Sequence, residues 1–172
     1  PCIAGKYSTV LGAAGDGVCI SCPQNTLSRA GSNSSADCAC ISGYTIDGFN
    51  GDVCTACAAG TYKSASGSMA CIPCIAGTHL AVMGATSAAN CLSCPQYSNS
   101  PPGSVAQTEC LCNKGFTISG QESGSGADFG ATDENDTVCV SCAPGMYKPT
   151  VGYSVCSPCT AGKYSASKGA PS

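Results

Sequence analysis

The cysteines are the residues of this sequence whose type and spacing could do chemistry. There are 17 of them among 172 residues, and all but Cys2 stand in CxxC or CxC couplets. Thiols at such spacing either form disulfides or bind zinc. The CxC couplets and the presence of one histidine favour disulfides. So many cysteines among so few large apolar residues predict a disulfide scaffold.

The intervals between cysteines suggest that each loop closes on the next cysteine. Bonds within a couplet would form strained rings, which are typical of redox sites. The proposed pairs are Cys2–Cys19, Cys22–Cys38, Cys40–Cys54, Cys57–Cys71, Cys74–Cys91, Cys94–Cys110, Cys112–Cys139 and Cys142–Cys156. This scheme leaves Cys159, with a partner beyond Ser172. Each loop of about 15 residues contributes on the order of 3 kcal/mol. Crossed pairing between neighbouring loops stays open, because sequence does not fix connectivity.

The cysteine pattern repeats with a register of 72 residues. The couplets Cys38/Cys40 and Cys110/Cys112 lie 72 apart, and the text Pro-Cys-Ile-Ala-Gly at 1–5 returns at 73–77. A register of this kind predicts repeat units. We expect one four-loop unit at 1–72, a second at 73–157 with a 13-residue insertion in its 112–139 loop, and the start of a third at 158–172.

A glycine follows the opening cysteine by three residues in seven loops, and an aromatic residue follows that glycine in six. The pattern predicts a tight turn with a positive φ, and a ring that lies back across a disulfide. His79 takes the aromatic place in one loop, and we expect it on the loop surface. The glycines are Gly5, Gly43, Gly60, Gly77, Gly115, Gly145 and Gly162, and the aromatic residues are Tyr7, Tyr44, Tyr62, Phe116, Tyr147 and Tyr164.

These motifs carry a family resemblance. The pattern CxxG(T/K)Y, a closing cysteine and then CxxCP resembles the GCC2/GCC3 or ephrin-receptor-like cysteine-rich repeats, and CAAGTYKSASGSMAC at 57–71 matches well. Those repeats are similar to the first submodule of tumour necrosis factor receptor repeats. The resemblance implies a small disulfide-rich fold: an elongated rod of short β-hairpins and loops with little or no helix. Such repeats occur in receptor ectodomains and in long surface proteins of algae and protists, including mastigoneme-type proteins.

Two sequons predict covalent glycans, one at Asn33 and one at Asn135. The context of Pro101 and Pro102, after Ser100, resembles that of hydroxyproline glycosylation in plant and algal walls. The acidic stretches 47–52 and 133–136 match no complete calcium loop, so we interpret them as solvated turns. We expect no metal and no cofactor.

The remaining composition excludes other classes of function. A net charge of −3 without a basic patch offers no electrostatic surface for binding nucleic acid. No apolar run reaches the roughly 18 residues of a membrane span. One histidine and no paired carboxylates indicate that the chain is not an enzyme.

We therefore predict an extracellular or cell-surface location. The predicted function is a structural subunit of a glycoprotein filament or surface coat, such as an algal flagellar hair. Its partners would be copies of itself, other filament proteins and glycans. The alternative is the ligand-binding ectodomain of a receptor or adhesion protein.

Overall fold

The computed structural model describes residues 1–10, 15–46, 53–119 and 138–171. The chain forms two compact units: unit 1 is Pro1–Cys74 with Ala81–Asn90, and unit 2 is Ile75–Leu80 with Cys91–Ser172. Most of the predicted insertion lies outside the described residues. The repeat boundaries drawn from the 72-residue register stay a prediction.

Unit 1 consists of short antiparallel hairpins. Its paired strands are β1 Lys6–Tyr7 with β2 Ile20–Ser21, β3 Thr26–Leu27 with β4 Ala39–Cys40, β5 Tyr44–Ile46 with β6 Cys54–Ala56, and β7 Thr61–Tyr62 with β8 Ile72–Pro73. Its helical elements, within the described ranges, are the 3₁₀ turns Asp16–Val18, Ser35–Asp37 and Ala88–Asn90.

Unit 2 repeats this arrangement. Its paired strands are β9 Thr78–His79 with β10 Leu92–Ser93, β11 Ser98–Asn99 with β12 Leu111–Cys112, β13 Phe116–Ile118 with β14 Cys139–Ser141, and β15 Met146–Tyr147 with β16 Ser157–Pro158. A 3₁₀ turn spans Gln107–Glu109. The predicted fold class, a small disulfide-rich fold of short hairpins with little helix, is confirmed.

Disulfides close these hairpins. An isolated two-stranded hairpin is marginally stable in water, so a strand pair this short needs a staple. The closing cysteine stands at the start of the second strand or just before it. The bonds are Cys2–Cys19, Cys22–Cys38, Cys40–Cys54, Cys57–Cys71, Cys94–Cys110, Cys112–Cys139 and Cys142–Cys156, and Cys74 and Cys91 are also disulfide-bonded.

Sulfur takes the place of a hydrophobic core. Among the described residues, the buried apolar side chains are those of ten cysteines together with Leu80, Ala85 and Ala170. Many large aliphatic side chains stay exposed instead. Area burial contributes little here, so covalent closure and hydrogen bonds must offset the chain entropy.

The glycine turns have the predicted conformation. All seven glycines have φ between 77° and 83°. Two of them also lie against backbone: a Cβ at Gly43 would stand 2.4 Å from the Gly84 carbonyl oxygen, and one at Gly115 would stand 2.1 Å from that of Gly169. Only glycine fits at these two positions, because the neighbouring backbone leaves no room for a side chain.

The expected surface position of His79 is wrong. Its side chain is only 9% exposed. The reason is that His79 pairs with Leu92 within its hairpin and also forms a parallel bridge with Ser104 of the following loop. The ring of Tyr164 was expected to lie across a disulfide. Instead Tyr164 is 89% exposed and shields no disulfide.

Candidate functional site

The most regular feature of each unit is a hydrogen-bonded contact between one loop and the next, which we call the interloop clasp. In unit 1, Gly5 donates its backbone N–H to the Ser28 carbonyl at 3.0 Å. The Ser28 hydroxyl donates in return to the Lys6 carbonyl at 2.9 Å. The clasp therefore joins the turn glycine and its successor to one buried polar residue of the following loop.

The next clasp in unit 1 uses lysine in place of serine. Gly43 donates its N–H to the Lys63 carbonyl at 2.8 Å. The Lys63 ammonium donates to the Tyr44 carbonyl at 2.7 Å and to the Gly67 carbonyl at 2.6 Å. The longer side chain reaches a second carbonyl, within its own loop.

Unit 2 repeats both forms of the clasp. Gly77 donates its N–H to the Ser100 carbonyl at 2.9 Å, and the Ser100 hydroxyl donates to the Thr78 carbonyl at 2.9 Å. Gly115 donates to the Lys148 carbonyl at 2.9 Å. A serine clasp and a lysine clasp thus occur in the same order in both units.

The Lys148 ammonium is surrounded by carbonyl groups. It donates to Phe116 at 2.7 Å, to Gly152 at short range, and to Cys112 at 3.5 Å. An ammonium group has three N–H donors, so the protonated form matches three acceptors.

In three of the clasps, a third hydrogen bond joins the same two loops. A glycine of the later loop donates its N–H to the carbonyl of the cysteine that opens the earlier loop. These bonds are Gly31 to Cys2 at 2.8 Å, Gly67 to Cys40 at 2.8 Å, and Gly152 to Cys112 at 2.9 Å. The disulfide loops are therefore held to one another by backbone groups rather than by apolar contact.

Burial governs the electrostatics of the lysine clasps. Lys63 is 3% exposed and Lys148 is 1% exposed. Burial lowers the pKa of both amino groups, because it disfavours the charged form. Among the residues that the structure describes, no carboxylate pairs with either ammonium, so the carbonyls supply all the stabilisation of the charge.

Sequence reasoning missed the four clasp residues. The signal was present: Tyr62-Lys63 and Tyr147-Lys148 lie 85 residues apart, each pair followed by a glycine four residues after the lysine. Ser28 and Ser100 lie 72 apart. A lysine or serine in a loop is usually solvated, however, so composition gave no reason to expect burial.

The predicted glycan sites lie on the surface where they are described. Asn33 is exposed, and its backbone N–H donates to the Asp37 carboxylate at 3.1 Å. Pro101 and Pro102 are both exposed, directly after the buried Ser100. Asn135 lies outside the described residues.

The two acidic stretches considered for calcium, 47–52 and 133–136, also lie outside the described residues. Sixteen cysteines are in disulfides, which removes their thiolates as zinc ligands. Cys159 is free and partly exposed. Over the described ranges, no group of three or more His, Cys, Asp or Glu side chains is placed to hold a metal ion.

In the part of the chain that the structure describes, no helix has the length and apolarity required to cross a bilayer.

Serial disulfide loops joined by clasps define a small, cysteine-rich repeat protein. The family model described as tyrosine-protein kinase ephrin type A/B receptor-like matches residues 43–91 and 131–172, which is just over half of the chain. The chain belongs to this family. No curated protein matches it. The disulfides and the family together indicate an extracellular or secreted module.

Proposed function

We propose that the chain is a structural segment of an extracellular glycoprotein filament or cell-surface coat, such as an algal flagellar hair of the mastigoneme type. The observation that carries the proposal is the interloop clasp, which occurs in a serine form and a lysine form, in the same order, in both units. An array in which each loop contacts its neighbours suits spacing and assembly.

Copies of the chain and other filament proteins are the proposed partners. Exposed aliphatic side chains support this proposal. Ile20 and Ile72 in unit 1 stand opposite Tyr7 and Tyr62 in their hairpins and remain exposed. Leu92 has the same position in unit 2, opposite His79. Residues of this kind provide apolar area for lateral association.

Electron microscopy of native material tests the filament proposal. We expect filaments or a coat whose density, at side-chain resolution, contains serial disulfide loops of this sequence. Isolated, monomeric particles in native material would overturn the proposal.

Covalent glycans at Asn33, Asn135, Pro101 and Pro102 are part of the proposal. Exposure of Asn33 and of both prolines supports it, because a transferase needs an accessible acceptor. Glycopeptide mass spectrometry of native material tests each site separately. Finding Pro101 and Pro102 unmodified would contradict the hydroxyproline part of the proposal. The spectra of the peptides that contain Asn33 and Asn135 would test the asparagine sites independently.

The alternative proposal is a ligand-binding ectodomain. The receptor-like family supports it, as do the exposed aliphatic residues, which would then contact a protein ligand. An immobilised chain should capture one defined protein from surface extracts, and Leu92→Ser should abolish that capture. Retention of capture by the variant, or no capture at all, counts against a ligand site at this surface.

We propose no catalytic role and no cofactor. His79, the single histidine, supports this proposal because it is buried within its hairpin. Tyrosine occupies the equivalent hairpin position in three other loops. His79→Tyr should therefore alter no reaction of the chain. A turnover reaction that the variant loses would overturn this proposal.

A further inference from the structure

Tyr97 occupies a turn position that glycine fills in most loops of this chain. It stands three residues after Cys94, and seven other loops have in that place a glycine with φ between 77° and 83°. Tyr97 has the same left-handed conformation, with φ of 63°. This conformation is unfavourable for a bulky residue, because its Cβ crowds the following carbonyl oxygen. Strain of this kind is typical of positions where the side chain has a function.

The equivalent turn of the first unit shows that the turn itself needs no aromatic ring. Asn25 stands there with φ of 60°, a conformation that asparagine adopts far more readily than tyrosine does. The Thr26 N–H closes that turn by donating to the Pro23 carbonyl at 3.2 Å. The Ser98 N–H closes the Tyr97 turn in the same way, on the Pro95 carbonyl at 3.2 Å.

The ring of Tyr97 is stacked on the ring of Phe116 and is still partly exposed. The two ring centroids lie 4.3 Å apart and the ring planes differ by 10°. Tyr97 is 46% exposed, whereas Phe116 is half-buried. Because Phe116 covers one face of the tyrosine, the exposed surface comprises the opposite face and the hydroxyl edge. The stack therefore holds a flat aromatic surface, open to solvent, in a fixed orientation.

Polar side chains flank this ring. Gln96 directly precedes Tyr97 and is exposed. Asn113 donates its backbone N–H to the Tyr97 carbonyl at 2.9 Å, and its own carbonyl accepts from the Phe116 N–H at 3.0 Å. Lys114 follows and is exposed. No other described residue forms a hydrogen bond or an ion pair with the side chains of Gln96, Asn113 and Lys114. These groups are therefore available to a ligand.

The combination of ring and flanking polar groups is particular to the second unit. The residues at the equivalent positions of the first unit differ in type: Asn25 for Tyr97, Ile41 for Asn113 and Ser42 for Lys114. The first unit therefore lacks both the stacked, exposed ring and the carboxamide beside it, although it makes the same turn.

We propose that Tyr97, flanked by Gln96, Asn113 and Lys114, binds a neutral chain of pyranose sugars. A pyranose ring with equatorial hydroxyls has an apolar face of C–H bonds and a rim of hydroxyls. The C–H face matches the negative face of an aromatic ring. The carboxamides donate to and accept from hydroxyls at the rim, and the ammonium donates to them. One sugar ring stacks on the exposed face of Tyr97, and its hydroxyls bind the side chains on either side.

Titration of the folded chain with cellohexaose, a chain of β-linked glucose, tests this site. Two-dimensional NMR follows the Tyr97 ring and the side-chain amides of Gln96 and Asn113. We expect these signals to shift with a Kd of about 1 mM, because one stacked ring and a few exposed hydrogen bonds give weak affinity. The side-chain amide of Asn25, in the equivalent turn, should not shift. No shift at Tyr97 up to about ten times that concentration would overturn the proposal.

Tyr97→Asn is the decisive variant, because it installs the residue that the first unit has in this turn and so preserves the backbone. We expect its Kd for cellohexaose to rise at least about tenfold, through the loss of the stacking ring. Tyr164→Asn is the matched control, since Tyr164 is 89% exposed and should bind cellohexaose like the parent chain. Unchanged binding by Tyr97→Asn, or an equal loss in Tyr164→Asn, would overturn the proposal.

A second variant tests the polar side of the site without changing the strained residue. Asn113→Ile, also taken from the first unit, keeps the backbone hydrogen bonds of the turn but removes the carboxamide. Its Kd should rise about threefold, the effect of losing one exposed hydrogen bond. Binding as tight as that of the parent chain would contradict a role for this carboxamide.

A hexamer of galacturonic acid separates stacking from charge. Because Lys114 is exposed, pairing with a carboxylate adds little, so we expect this hexamer to bind within about tenfold of cellohexaose. Binding of the acidic hexamer alone, lost on addition of salt, would overturn the proposal. Carbohydrate binding goes beyond the proposed structural function and does not depend on it. The titration needs only the folded chain, so this site and the filament proposal can fail separately.

Discussion

Replacing the buried Lys148 with methionine removes its charge and its hydrogen-bond donors but keeps an unbranched chain of similar length. The Phe116 and Gly152 carbonyls then lose their close donors. A buried acceptor left without a donor costs about 1–3 kcal/mol. The substitution also removes the desolvation cost of the ammonium, and this relief offsets part of the loss. We expect a net loss of about 2–4 kcal/mol in the stability of this clasp, because the cost of the unpaired carbonyls exceeds that relief.

Hydrogen exchange at the Gly115 amide measures this loss directly, because that N–H donates to the Lys148 carbonyl. A change of 1.4 kcal/mol is about tenfold in an equilibrium constant, so protection should fall by about 30- to 1000-fold. Lys163→Met is the matched control, since Lys163 is exposed in the same unit. Protection within about threefold of the parent chain in Lys148→Met would refute the reasoning. An equal loss in Lys163→Met would refute it too.

Other predictions concern pH, the glycine turns, a tyrosine contact and the disulfides. Burial lowers the pKa of Lys148 below 10.5, so the unfolded chain binds more protons between the two values. Stability to urea, with Cys159 alkylated, should rise with pH in that window, and Lys148→Met should lose part of the rise, because Lys63, whose pKa is also lowered, retains its own contribution. Gly115→Ala and Gly145→Ala both carry a left-handed backbone cost of about 1–2 kcal/mol. Only the first meets a carbonyl, so its melting temperature should fall further. Tyr153→Phe removes donation to the Thr108 and Cys110 carbonyls and should lower the unfolding free energy by about 1 kcal/mol, again in urea. A non-reducing peptide map in which Cys19 is joined to Cys22 or Cys54 would contradict sequential loop closure.

Cysteine and glycine spacing was enough to predict the local architecture. A cysteine fixes where a hairpin closes, and a glycine three residues later fixes a turn with positive φ, as at Gly5 and Gly115. Both effects are local, so a single sequence reveals them. The hairpin fold class and the cysteine-rich family follow from the same pattern.

Burial could not be predicted in the same way, because it depends on the loop that follows. His79 forms a parallel β-bridge with Ser104, which is 25 residues later in the chain. Lys148 is buried because the Gly115 turn brings the Phe116 carbonyl to its ammonium. Neither contact leaves a periodic trace in residue type. For the clasp serines and lysines, only the recurrence of the same residue in the two units, 72 or 85 positions apart, could have shown that the side chain is not solvated; His79 has no such recurrence.

The two forms of the clasp also affect which loops can pack against each other. A serine hydroxyl at the position of Lys63 would reach one carbonyl at most and leave the Gly67 carbonyl without a donor. A lysine at the position of Ser28 would bury a charge where the clasp offers the Lys6 carbonyl. Each mismatch is unfavourable, so the clasp residues distinguish loops whose cysteine spacing is nearly the same. The disulfides close each loop, and we infer that the alternation of serine and lysine helps to specify which loops pack against each other.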